Sequence, residues 1–428
     1  MFRHKTVRLL AAALTLAVVA GACGGRSSKD KSSGGGKKGA PAVTAGFDGT
    51  TIKVGVLTPL TGAAAVIGNP LTNGNQVFLE QLNASGGIDG KYKVEAVVKD
   101  SKYTTQDTVT QYNATKNDVV MYMQILGTPP TQAVLPQLKK DNIVAGVATL
   151  DAPWYEEKNL LPILAPYQVQ TANGFDYYVN KMDGKGKKLC TITSDDPYGQ
   201  AGLQGAKFAV DKLGTKLTDS ETFTAGATDL TAQVDGLKSK GCEMVWITSL
   251  PSDLPTILGR AAQTNYAPQW FGQSPTWVSV LLQTGLKDYM EQHFILASEG
   301  VAWDSNVAGM KELRAALQKY SPSQKPDIYF VYGYMEAHAV TQLLAKAVEL
   351  GDLSRDGIMK AMADIGKLDF GGLVSSEAYG LPADRVPQRE TSFFKPTAST
   401  LNTNGGLTPL GPDAINYTST IGKEVPLK

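Results

Sequence analysis

The chain has 428 residues, room for two or three domains, and 42% of them are apolar against 19% charged. Lys and Arg number 41 and Asp and Glu 40, a net charge of +1; that balance excludes a chain built around broad nucleic-acid contact, which needs a basic face. Three Cys exclude a disulfide-dense scaffold, and three His (His4, His293, His338) without a C-x-x-C argue against a His/Cys zinc site.

The chain opens on an address. Arg3, Lys5 and Arg8 form a basic start, and Leu9 to Ala20 is apolar apart from Thr15. That run is too short to span a bilayer and suits the apolar core of a signal peptide, here residues 1–22. Val19-Ala20-Gly21-Ala22-Cys23 resembles a bacterial lipobox, which implies cleavage before Cys23 and lipidation of its thiol. Residues 23–50, rich in Gly, Ser and Lys with no apolar periodicity, read as a flexible tether. Arg26, Lys29, Lys31, Lys37 and Lys38 make it basic, for solubility or for attraction to anionic headgroups.

From Thr51 apolar runs alternate with amphipathic stretches. Strands are expected at Ile52–Leu57, Val94–Val98, Val119–Leu126 and Ile143–Val147. Helices are expected at Leu71–Ala84, stopped by Gly86-Gly87, at Thr104–Lys116, and around Thr131, Val134, Leu135 and Leu138. The stretch from Thr149 to Val169, with Pro153, Pro162 and Pro166, reads as irregular. The pattern then restarts with strands at Lys188–Thr193, Lys216–Phe223, Met244–Thr248, Gln269–Gly272 and Phe294–Ala297. Between them lie helices around Leu203–Leu213, around Leu230–Leu237 with Thr228 as N-cap, and at Leu254–Gln263. One long helix, Tyr334–Leu350, follows, and the tail after Phe394 reads as polar and loop-like. Strand–helix alternation of this kind implies α/β architecture with two doubly wound parallel sheets.

In open parallel sheets ligands bind beyond the carboxyl ends of the strands. Thr58 to Gly68 is a small-residue loop there, but it lacks both G-x-G-x-x-G and G-K-[ST], which disfavours nucleotides. Gly127-Thr128-Pro129-Pro130-Thr131 places Thr128 as a cap with Pro129 at the first helical position. Its two prolines remove donors that the Thr128 and Thr131 hydroxyls replace. Ala148 and Thr149 end the next strand. In the second half, Asp195-Asp196-Pro197-Tyr198-Gly199 is a strand-to-helix turn with Tyr198 at its tip, Ser249 follows a strand, and Ser274 and Trp277 follow another. No G-x-S-x-G or H-E-x-x-H is present, His338 lies beside the apolar stripe of its helix, and no catalytic constellation is read. Cys190 within one strand and Cys242 before a neighbouring one form either a disulfide, which export permits, or two buried thiols.

Ile52 to Gly62, Asn83-Ala84-Ser85-Gly86-Gly87-Ile88-Asp89-Gly90 and Asp195 to Gly199, taken together, resemble the solute-binding proteins of branched-chain amino acid ABC transporters, the leucine/isoleucine/valine-binding family. The resemblance runs from about Thr51 to Phe394. It implies a type I periplasmic-binding fold: lobe one at 51–168 and 300–351, lobe two at 169–299 and 352–428, joined by a three-segment hinge. It implies a ligand carboxylate held by the loop Gly127–Thr131 and by Thr149, an ammonium held by an acid near Ser274, and an aromatic cover near Ile67. This chain has Ser274 and Ile67 at those two places, so a standard amino acid needs another acid, such as Asp151 or Glu299. Trp154, Tyr167, Tyr198, Trp277 and Trp303 suit a planar or apolar ligand. The expected ligand-binding set is Thr128, Thr131, Ala148, Thr149, Tyr167, Tyr198, Ser249, Ser274 and Trp303. The expectation is a monomeric, lipid-anchored, non-enzymatic protein without metal or cofactor that binds a small organic solute (amino acid, amide or aromatic acid) for an ABC permease. The alternative is a sensing ectodomain of the same fold.

Overall fold

In the computed structural model, which describes residues 40–427, the first half of the chain runs β1 (Thr51–Thr58), α1 (Ala65–Ala84), β2 (Lys93–Asp100), α2 (Thr105–Thr115), β3 (Met121–Ile125), α3 (Thr128–Asp141), β4 (Ala145–Gly146) and β5 (Leu160–Leu161). The signal peptide and Cys23 lie outside the described residues. The five strands form one parallel sheet, ordered β2-β1-β3-β4-β5. Interior strand β1 buries Val54, Val56 and Leu57 on both faces, which is why its sequence from Val54 to Leu57 is apolar rather than alternating. β5 falls in the stretch read as irregular; two residues between prolines are too few to show a period.

The second half continues through α4 (Tyr167–Lys181), β6 (Leu189–Ser194), α5 (Pro197–Lys212), β7 (Leu217–Phe223), α6 (Thr231–Lys240), β8 (Met244–Thr248), α7 (Leu254–Gln263), β9 (Gln269–Gln273), α8 (Lys287–His293) and β10 (Phe294–Ser298). Then come α9 (Ala308–Tyr320), α10 (Ile328–Leu350), α11 (Arg355–Ala363), β11 (Ser392–Pro396), α12 (Leu401–Asn404), β12 (Leu407–Pro409) and α13 (Thr420–Glu424). Seven strands form the second sheet, ordered β12-β11-β10-β9-β8-β6-β7. β6 to β10 are parallel, and β11 and β12 add antiparallel. Cys190 on β6 and Cys242 just before neighbouring β8 form a disulfide with a Cα–Cα distance of 5.9 Å, so the thiol alternative falls.

Helix starts follow side-chain chemistry. Thr104 caps α2, accepting from the Asp107 N–H at 3.0 Å. Asp327 accepts from the Tyr329 and Phe330 N–H groups at 2.8 and 3.1 Å, so α10 begins at Ile328, two turns before the expected Tyr334. Thr228 does not cap α6; the helix begins at Thr231, whose N–H donates to Asp229 at 2.9 Å. α10 crosses α1 so closely that a Cβ on Gly333 would sit 1.9 Å from the Leu71 carbonyl oxygen.

Three stretches depart from the expected boundaries. Within the expected tether, Phe47 bridges to Ile52 and packs edge-on against Tyr92, with ring centroids 5.4 Å apart, inside the first core. One aromatic in a polar run escapes a compositional average, but it buries enough area to order its neighbours. Residues expected in the second lobe from 352 onward, including Leu353, Ile358, Met362, Phe370 and Leu373, pack in one cluster with Val54, Leu343 and Ala347 of the first lobe. The return to the second lobe comes at β11. The tail beyond Phe394 is not loop-like: β12 extends the second sheet, and α13 buries Ile421 against it.

Candidate functional site

The segments after β1, β2, β3 and β4 face those after β6, β8 and β9 across one narrow cleft. Ile67 and Leu71 of α1, Leu126, Leu150 and Leu250 form its apolar walls. One apolar cluster runs from Ile67, Leu71 and Leu126 of the first lobe to Leu250, Trp277 and Leu281 of the second, so the two lobes are closed on each other.

The β3–α3 turn supplies the polar corner. Gly127 sits at φ 104°, and a Cβ there would lie 2.5 Å from Cε2 of Tyr103, so only glycine lets the Tyr103 ring reach the cleft. Gly127 is also the N-cap of α3. The expected capping role of Thr128 gives way to another: Thr128 is the first helical residue, no side chain caps the helix, and its Oγ1 lies 2.6 Å from Thr149 Oγ1. Thr149 also meets the Tyr167 phenol, so the three hydroxyls form one neutral polar cluster at this corner.

Five tyrosines complete the lining: Tyr103, Tyr167, Tyr198, Tyr329 and Tyr332. Burial raises the phenol pKa of each, so all stay neutral and donate rather than carry charge. Tyr167 and Tyr198 meet edge-on at 4.8 Å. Tyr198 donates to the Ser274 carbonyl at 3.2 Å and Tyr332 to the Val147 carbonyl at 3.0 Å. Tyr329, on the first-lobe helix α10, donates across the cleft to the Pro275 carbonyl at 2.8 Å and contacts the Trp277 carbonyl.

Among the described residues, no charged side chain lines this cleft. The Asp151 carboxylate accepts from Gln168 Nε2 at 2.7 Å instead. Glu299 lies behind Ser274, accepting from Gln170 and, at 3.3 Å, from Ser298. Burial pushes Asp151 up from the usual carboxylate range and Glu299 up to about 7.

Of the expected ligand-binding residues, Thr128, Ala148, Thr149, Tyr167, Tyr198 and Ser274 come together on this wall. So do Ile67 and Ser274, the two positions at which the chain departs from the pattern it resembles. Thr131 is fully buried within α3, its hydroxyl without a partner, and does not reach the cleft. Ser249 is turned inward, donating to the Leu250 carbonyl at 3.1 Å, and Leu250 takes its place. Trp303 lines a separate chamber on the other side of Tyr332. Asp195 accepts from Thr224 Oγ1 at 2.8 Å, and Asp196 caps α5 through the Gly199 N–H at 2.9 Å, which gives both acids of that turn structural roles. Tyr103 and Leu250, past the ends of β2 and β8, and Tyr329 and Tyr332, on α10, are site residues outside the expected set. The signal for the last pair was Asp327 as an N-cap, which puts Tyr329 and Tyr332 on one face of a first turn.

Two facing α/β lobes with a cleft between their sheet edges define a type I periplasmic binding protein fold. The solved fatty acid ABC transporter substrate-binding protein from Thermomonospora curvata matches with a TM-score of 0.84 and 25% identity, over 91% of this chain and 97% of that one. A branched chain amino acid ABC transporter protein from Thermus thermophilus with bound valine shares the fold at a TM-score of 0.73 and 15% identity, over 87% and 98%. Residues 51–396 match the family model described as periplasmic binding protein, and the chain belongs to that family. Leu/Ile/Val-binding protein homolog 3 of Brucella melitensis is 27% identical over 214 residues, 48% of this chain and 57% of the relative. An amino acid binding protein of Pseudomonas aeruginosa is 28% identical over 46% of this chain and 54% of the relative. The chain thus spans just over half the length of these curated relatives.

Proposed function

We propose that this protein is an extracytoplasmic solute-binding protein. It captures a mainly apolar organic solute, whose polar end is a carboxyl or an uncharged group, and presents its closed form to an ABC permease. The observation that carries the reading is a cleft lined by aliphatic and tyrosine side chains with no carboxylate among them. The ammonium of an amino acid buried there without a partner costs several kcal/mol, whereas a carboxyl meets the Thr128–Thr149 hydroxyl pair and neutral phenols. The ligand class named for the Thermomonospora curvata protein agrees with this lining. The Leu/Ile/Val-binding relatives carry names that require an ammonium partner, which this wall lacks. Binding, not catalysis, is its work: the side chains that meet the solute are aliphatic groups and neutral hydroxyls. The protein acts as a monomer held to the membrane by a lipid on Cys23, with residues 1–22 removed.

A paired ligand screen tests this. A ligand at ~100 times its dissociation constant adds ~2.7 kcal/mol of stability, readable as a thermal shift. Isocaproate, which is leucine without its ammonium, is expected to raise the melting temperature, together with longer straight-chain and aromatic carboxylates, while leucine, isoleucine and valine leave it in place. A larger shift with leucine than with isocaproate overturns the reading.

A further inference from the structure

Beside the cleft lies a second, partly open chamber. Tyr332 is its common wall with the cleft, and the Tyr332 hydroxyl is committed to the Val147 carbonyl. The chemistry on the far side is different. Two carboxylates, Glu299 and Asp327, face the chamber along with the indoles of Trp277 and Trp303, and among the described residues no Lys, Arg or His lines it. Glu299 is held by neutral donors, the side chains of Gln170, Ser274 and Ser298. Asp327 uses Oδ1 to cap α10. Arg314, the cation next to this region, is turned onto the Trp303 and Ser305 carbonyls. Two acids and two indoles with no basic counterpart make a surface that attracts a positive charge on an apolar body: carboxylate supplies the charge partner, and the indole faces supply cation–π attraction and dispersion.

We propose that this chamber is a second ligand site, distinct from the cleft, that takes an organic cation: an alkyl- or arylammonium whose charge meets Glu299 and Asp327 and whose apolar body lies against Trp277 and Trp303. Its occupancy does not depend on the identity of the cleft ligand. A cation there packs against the face of Tyr332 turned away from the cleft.

Benzylammonium is the probe, with benzyl alcohol as its uncharged counterpart, read by calorimetry and by tryptophan fluorescence on the intact protein. Benzylammonium is expected to bind saturably and change the fluorescence, and benzyl alcohol is not. Glu299→Gln should weaken benzylammonium by about tenfold or more, the size of one charge-assisted hydrogen bond, and Trp303→Leu should weaken it while removing part of the fluorescence response. Trp303→Leu, which does not touch the cleft wall, should still show the thermal shift with isocaproate, which separates this site from the proposed cleft function. Equal binding of benzyl alcohol, undiminished affinity in Glu299→Gln, displacement of benzylammonium by isocaproate, or no saturation at millimolar concentration would each overturn the proposal.

Discussion

The Tyr329 hydroxyl is the contact through which lobe closure can be measured. It sits on the first turn of α10 in the first lobe and donates to the Pro275 carbonyl, beside that of Trp277, in the second. Opening the cleft breaks that contact and hydrates both partners; Tyr329→Phe removes it from the closed form alone. A neutral hydrogen bond contributes about 1 kcal/mol net, and a buried acceptor left unpaired adds a similar cost, so the closed form loses roughly 1–2 kcal/mol relative to the open one. That is about a 5- to 30-fold drop in the closed-to-open ratio, and a ligand that needs the closed form loses affinity by up to the same factor. Small-angle scattering of the unliganded variant should give a larger radius of gyration, and calorimetry with isocaproate a weaker dissociation constant. Tyr266→Phe is the control: its hydroxyl donates to the Cys242 carbonyl at 3.0 Å within the second lobe, so it should lower unfolding stability comparably and leave affinity alone. Equal affinity and scattering in Tyr329→Phe and wild type would refute the reasoning, as would an equal loss of affinity in Tyr266→Phe.

Glu299 makes stability depend on pH. Burial raises its pKa from 4.5 to about 7, so between those values the folded chain holds a proton that the unfolded chain has released. Stability therefore falls as pH rises through that window, by up to about 3 kcal/mol; Asp327, raised from 3.8 to about 6 by burial, acts in the same direction lower down. Urea midpoints across pH 4.5–7 should show the slope and Glu299→Gln should flatten its upper part; an unchanged slope in the variant would disprove the assignment. The Cys190–Cys242 disulfide closes a sequence separation of 52 residues, and its removal as Cys190→Ala/Cys242→Ala should cost about 2–4 kcal/mol, measured by denaturation with and without reductant. Finding reductant without effect on the wild-type midpoint would contradict this. Gly127→Ala places a Cβ against the Tyr103 ring at a positive φ. It should weaken isocaproate binding and lower the melting temperature by an amount matching about 1–3 kcal/mol; wild-type affinity in that variant would mean that Tyr103 does not shape the cleft.

The doubly wound architecture was legible because parallel strands buried on both faces write themselves as apolar runs, as in Ile52–Leu57 and Met244–Thr248. Strand ends then led to Thr128, Thr149, Tyr198 and Ser274, since topology alone puts those positions at the cleft. What stayed hidden came from elsewhere. Tyr329 and Tyr332 reach the cleft from a helix late in the chain, and only three-dimensional contact brings that helix under the first sheet. Ser249 has the right residue type one step from Leu250, which lines the cleft, and Thr131 lies nearly one helical turn deeper along α3 than Thr128, where its side chain is in the core. Phe47 and β12 sit in polar surroundings where a single buried residue does not shift the local average. Cys190 and Cys242 became decidable only with the pairing of β6 and β8, which sets the distance between them.

The core of the first lobe is not finished until Phe370, Leu373 and Tyr379 have joined residues that precede them by about three hundred positions, and the second sheet is not finished until β11 and β12 are added at the far end of the chain. Neither lobe is a contiguous stretch of polypeptide, so a ribosome that has made the first three hundred residues has made no complete lobe. Long-range pairings of this kind are slow to form. The delay leaves a newly made chain loosely organised until roughly the last hundred residues have been added.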